Sequence, residues 1–347
     1  MPDSTVLPYP TGRHRRATRL TRLGFVPLAD AAPLLVAEAL GLFEAVGLHV
    51  ALSAEPGWAT LRDKLAFGAL DGAHLLGPLA LALASGLGGV EADLTIGCGL
   101  GRNGNTLTLK PELARALAAH GPQALRGTTL AVVYAFSSHN YLLRHWLAEA
   151  GLDPDRDVRL TVVPPPQCPA QLAQGSIDGF CAGEPWGSHA VALGVGEVVL
   201  GTGHIWPDHP EKILAFGAAW AADNPETAIP ITAAVLAAAR WLDEPANRAD
   251  ATRILHKRAF PHLALETVAE AFSGPVAQAH PMQFRAATLH HAGQAAWWLG
   301  QMQRWGHLPA DADQPRLLAP WNTSLWRAAA RRVNEPEPTT MPTELPA

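Results

Sequence analysis

With 347 residues, 48% of them hydrophobic and 16% charged, the chain is long enough for two domains with their own cores and too apolar to be disordered. A formal net charge of −5 excludes a basic nucleic-acid footprint spread over the whole surface. Three cysteines, Cys98, Cys168 and Cys181, without CxxC spacing, fit neither a secreted disulfide scaffold nor a zinc ribbon and read as reduced, buried thiols.

In chain order, Arg13, Arg15, Arg16, Arg19 and Arg22 crowd the start of the chain, and residues 1–20 read as a flexible basic arm. Residues 1–22 hold no continuous apolar stretch of the kind a secretory signal needs, so a cytoplasmic location is expected. A strand at Leu23-Gly-Phe-Val leads into a helix over Ala31–Glu44 and a strand over Leu48–Ser53, after which Pro56-Gly-Trp58 opens a second helix. Leu79–Leu87 is apolar but too short to span a bilayer, bounded as it is by Pro78 and Gly88–Gly89, so no membrane insertion is expected. The order then recurs: a strand at Leu130-Ala-Val-Val, a helix over Ser138–Ala150 and a strand over Val158–Val163.

This recurrence is a repeat at an offset of 107. Lys64–Pro78 aligns without gaps to Gln171–Pro185, and six of fifteen positions are identical, the Asp-Gly pair among them. Alternating strands and helices imply parallel sheets flanked by helices, and two such halves facing each other form a cleft lined by helix N-termini, a natural anion site. The expected fold is therefore α/β, with two parallel-sheet lobes around a central cleft. The first lobe is assigned to 21–125 plus 206–333, and the second to 126–205. Ala-rich helices from Asn224 to about Asp243, over Leu263–Phe272 and over Phe284–Trp305 should fold back on the first lobe, and the Pro- and Glu-rich tail 334–347 reads as disordered.

Candidate ligand groups sit at the ends of these elements. Lys212, one of only four lysines, lies in His209-Pro-Glu-Lys-Ile, where the chain should recross between lobes; it reads either as a cleft cation or as an exposed strand-end lysine. His139 begins the first helix of the second lobe, behind Ser137 or Ser138 as N-cap, and either faces the cleft or serves packing. Trp58 holds a comparable place in the first lobe, as an indole donor or an ordinary core ring. Asn103-Gly-Asn105 has turn composition, and its amides are candidates to line the cleft. Glu184, before Pro185-Trp186, reads as structural at a helix N-terminus. No Walker loop, GxGxxG, HExxH or GxSxG occurs, so neither an enzyme nor a resident cofactor or metal is expected.

Leu23-Gly-Phe-Val-Pro-Leu-Ala-Asp-Ala-Ala-Pro-Leu, Ser-Ser-His139-Asn-Tyr, Val163-Pro-Pro-Pro-Gln, Asp178-Gly-Phe-Cys-Ala-Gly-Glu-Pro-Trp and Asp208-His-Pro-Glu-Lys together resemble the nitrate-binding proteins of ABC transporters and their bicarbonate-binding relatives. Within that group the chain is most similar to NasS-type cytoplasmic nitrate/nitrite sensors. The resemblance implies the type II periplasmic-binding-protein fold and a partner, an antiterminator with an RNA-binding ANTAR domain, with no direct nucleic-acid contact by this chain. It also implies an anion site of tryptophan, glutamine, histidine and lysine, which falls on Trp58, Asn105, His139 and Lys212, the asparagine being one methylene shorter. A bicarbonate ion would need an acceptor for its O–H. No clustered acidic residues are evident in the sequence, so nitrate or nitrite is expected. The rivals are a transport receptor for the same anions and an enzyme on the same fold, such as a thiamine pyrimidine synthase.

Overall fold

The computed structural model describes residues 20–337; the basic arm up to residue 19 and the tail from 338 onward lie outside the described residues. The strands are β1 (Thr21–Phe25), β2 (Val50–Ala54), β3 (Gly72–Leu76), β4 (Leu94–Gly99), β5 (Asn105–Leu109), β6 (Thr129–Val132), β7 (Arg159–Val162), β8 (Gly179–Gly183), β9 (Glu197–Gly201) and β10 (Lys212–Gly217). They form two five-stranded sheets, in the orders β2-β1-β3-β10-β4 and β7-β6-β8-β5-β9.

The sheets are mixed, which corrects the expectation of purely parallel lobes. β10 runs antiparallel to β3 and β4, and β5 runs antiparallel to β8 and β9. The reason is that each sheet borrows one strand from a chain arriving from the other lobe, which enters from the opposite end. It also moves the first crossing between lobes to just before Asn105, well ahead of the expected boundary near residue 125, since β5 already belongs to the second sheet.

The 107-residue repeat is realised strand for strand. It maps β3 onto β8 and, beyond the segments legible as a repeat, the crossover strand β5 onto β10, with Asn105 falling on Lys212. The shared Asp-Gly pair has a physical role in both lobes. Asp71 Oδ2 accepts the Arg22 backbone N–H at 2.8 Å, and Asp178 Oδ2 accepts that of Thr129 at 2.9 Å, so each Asp satisfies a strand-end donor of its neighbour. Glycine follows because the borrowed strand lies tight against it. A Cβ on Gly72 would come within 2.6 Å of the Phe216 ring and 2.9 Å of Leu23, and one on Gly179 within 2.9 Å of the Thr108 carbonyl.

Helix positions follow the hydrophobic pattern, with two adjustments. The expected helix Ala31–Glu44 is broken into Ala32–Ala39 and Leu42–Ala45 because Gly41 adopts φ +67°, a left-handed turn that favours glycine. The helix expected from Phe284 begins only at Ala292, the Asp243 carboxylate holding the backbone N–H groups of Phe284 and Arg285 in a separate turn. Helix Pro225–Asp243 packs on Ala32–Ala39, on β4 and on Ser324–Arg332, as a covering of the first lobe should. Two other C-terminal helices also reach the second lobe: Leu265–Ser273 touches Trp186–Ala192, and Ala292–Arg304 touches Ser138–Glu149. No described helix is long and apolar enough to cross a membrane.

Candidate functional site

The two borrowed strands begin side by side between the lobes, and their first residues, Asn105 and Lys212, are both buried. The Lys212 ammonium lies 2.7 Å from Asp30 Oδ2, 2.5 Å from Glu211 Oε2 and 3.4 Å from Asn105 Oδ1. Asp30 is delivered by the turn Ala29–Ala31 that follows β1, and its other oxygen meets His74 Nε2 at 2.9 Å. His74 is in the middle of β3 and pairs in register with Leu214, while Lys212 pairs with Leu76, so the two side chains share one face of the sheet. Glu211 Oε1 accepts the Asn105 amide at 2.5 Å and faces His209 Nδ1 at 3.2 Å, and His209 Nε2 meets the Thr202 hydroxyl at 2.7 Å.

Burial and charge oppose each other here, and charge wins for the ion pairs. Burial alone would push Lys212 towards neutrality, but Asp30 and Glu211 outweigh it and hold the ammonium above its ordinary value. Burial likewise works against the Asp30 and Glu211 carboxylates, yet Lys212 keeps Asp30 below the usual range and Glu211 well below it. His139 has no such support. Burial, reinforced by the Lys212 charge, depresses its imidazole to about 3, so it is neutral near physiological pH.

At the helix starts of both lobes stand buried polar atoms with no protein partner. Trp58 begins helix Trp58–Ala66, is 2% exposed and leaves Nε1 unpaired; its ring lies 5.5 Å from that of His74. His139 is fully buried in the first turn of helix Ser138–Glu149 with both ring nitrogens unpaired, and the neighbouring Ser138 hydroxyl is unpaired as well. Ser137, not Ser138, is the N-cap, its hydroxyl accepting the Asn140 N–H at 3.1 Å. An unmade hydrogen bond at a buried donor costs about 1–3 kcal/mol, so free donors on Trp58, beside His74, and on His139, within reach of the Lys212 charge, describe a surface suited to an acceptor-rich ligand.

All four sequence-derived candidates, Trp58, Asn105, His139 and Lys212, thus fall in or beside one buried polar network between the lobes. Asn103 does not join them; its amide donates to Asp208 and to the Pro281 carbonyl. Glu184 is structural, accepting the Thr106 hydroxyl and the Ser188 N–H. The expectation of no clustered carboxylates is corrected. Asp30 and Glu211 both reach Lys212, the first from far away in the sequence and the second from the residue next to it. Asp30, His74, His209 and Glu211 were missed as site residues although three of them lie inside the quoted motifs; the signal was that a buried lysine demands carboxylate partners. Among the described residues, no group of three or more His, Cys, Asp and Glu could hold a metal ion.

Residues 16–256 match the NMT1-like family. This chain belongs to that family. The nitrate/nitrite binding protein NrtA of Nostoc sp. is 30% identical over 344 residues, which cover 91% of this chain and 78% of that protein. The bicarbonate transport ATP-binding protein CmpC of Synechococcus elongatus is 32% identical, covering 85% of this chain but only 47% of its own length. Among solved structures, the periplasmic nitrate-binding protein NrtA of Synechocystis superposes with a TM-score of 0.85 at 29% identity, over 91% of this chain and 89% of that one. The alkanesulfonate-binding protein SsuA of Xanthomonas axonopodis shares the fold at a TM-score of 0.64 and 18% identity. The periplasmic-binding-protein fold that the resemblance implied, and with which the repeat agrees, is therefore the fold of this NMT1-like chain.

Proposed function

We propose that this chain is a nitrate- or nitrite-binding protein whose site is the cleft around Lys212, with Trp58, His139 and Asn105 as its neighbours. The observation that carries the reading is the set of unpaired buried atoms on Trp58, Ser138 and His139 set against a charged lysine. Nitrate and nitrite are small monoanions, too weakly basic to be protonated near neutral pH, and offer acceptors to neutral donors and to one cation. Relatives named for the same ligands support it. Because Asp30 and Glu211 are present, the lack of an acceptor no longer argues against hydrogencarbonate. The preference for nitrate or nitrite rests on those relatives. Isothermal titration with nitrate, nitrite, hydrogencarbonate and sulfate tests it, and heats for hydrogencarbonate alone would overturn it.

The finer reading is that occupancy is a signal: the ligand-free protein holds an RNA-binding antiterminator with an ANTAR domain, and nitrate or nitrite releases it. The motif resemblance to NasS-type cytoplasmic sensors supports this, and the physics requires only that anion and partner favour different lobe arrangements. A second reading, delivery of the anion to an ABC transporter, is favoured by the likeness to NrtA over most of the chain. Co-purification of the antiterminator across a nitrate series separates the two. A complex whose yield ignores both anions would sink the sensor reading.

A further inference from the structure

The carboxylates of the cleft outnumber its ammonium. Two buried carboxylates, Asp30 and Glu211, share one buried ammonium, Lys212. Two imidazoles flank them. His74 Nε2 lies 2.9 Å from Asp30 Oδ1, and its Nδ1 is buried without a partner. His209 Nδ1 faces Glu211, and its Nε2 meets the Thr202 hydroxyl. A monoanion arriving here would add a negative charge beyond what the one ammonium balances, a costly arrangement for buried ions.

One imidazole here is bare at both nitrogens. His139 is fully buried, makes no hydrogen bond through either ring nitrogen and lies within reach of the charges of Lys212 on β10, Glu211 and His209 in the segment before it, and Asp30 after β1. An imidazolium donates from both nitrogens, so a ring with two free nitrogens can hold a proton and still donate to an arriving anion. Without the anion, burial and the Lys212 charge oppose that second proton. With it, the balance reverses. We propose that each anion enters this cleft together with one proton, which His139 holds for as long as the anion stays.

The inference rests on the anion-binding reading above but not on which monoanion is bound. Calorimetric titration of the full chain with sodium nitrate, at about pH 7.5 in buffers of different ionisation enthalpy, counts the protons taken up. Nitrate takes none itself. The expected result is uptake approaching one proton per nitrate, with Kd rising about tenfold per pH unit wherever the free protein is unprotonated and the complex is protonated. In H139Q nitrate binds more weakly, independently of pH and buffer, whereas H120Q, at the exposed end of helix Pro111–His120, keeps the uptake. Carbon-13 NMR of the His139 imidazole in the histidine-labelled wild type reads the same event without any variant. Nitrate binding with no proton uptake overturns the proposal and leaves the anion site standing. Uptake that survives in H139Q, or is lost only in H74Q, overturns the assignment to His139. A protein that binds no monoanion overturns both readings.

Discussion

Replacing Lys212 by methionine isolates its charge, because the two side chains have similar length and the cavity cost of an alanine is avoided. In the wild type the ammonium is bracketed by Asp30 at 2.7 Å and Glu211 at 2.5 Å, all three groups being buried. Removing one partner of a buried ion pair typically costs about 3–5 kcal/mol, and here two carboxylates lose their cation together, so the upper part of that range is expected at about pH 8. The sign with pH follows from the native carboxylates. Lys212 now holds Asp30 and Glu211 below their ordinary values, so their stabilising effect is present above the unfolded carboxylate range and is lost as pH falls through the lowered native values. Without the lysine, burial dominates, the native carboxylates titrate above their unfolded values, and the variant loses stability as pH rises. The deficit relative to wild type should therefore shrink by more than half between about pH 8 and about pH 4.5, read from urea unfolding at each pH. An equal deficit at both pH values, or none at pH 8, would refute the reasoning.

Trp58→Phe keeps the ring against His74 while deleting the unpaired indole N–H, so nitrate affinity should fall by about 1.5–3 kcal/mol with urea stability unchanged or slightly improved. Arg62 of helix Trp58–Ala66 donates across the lobes to the Tyr134 hydroxyl at 2.7 Å; Tyr134→Phe should speed anion release by up to about tenfold in stopped-flow, with little change in entry rate. Gly179→Ala places a Cβ against Leu109 and the Thr108 carbonyl, and a loss of at least about 1–3 kcal/mol is expected in urea unfolding.

The sequence by itself determined the repeat, and through it the two-lobed α/β architecture, because alternating strand and helix patterns with a shared Asp-Gly pair leave few ways to bury their apolar faces. It also placed Trp58 and His139 at helix starts and Lys212 at a crossing, since helix N-termini and strand ends face the cleft in such folds. What it did not determine was the exchange of strands. Local periodicity is the same for a strand that stays in its own sheet and one that joins its neighbour's, so the antiparallel places of β5 and β10 are visible only in the tertiary pairing. The charge state of the site was decided at that level too. Asp30, His74 and Lys212 are separated by long stretches of chain, and only the folded sheet brings His74 and Lys212 within 3 Å of the Asp30 carboxylate, where low polarity makes each charge depend on its partner.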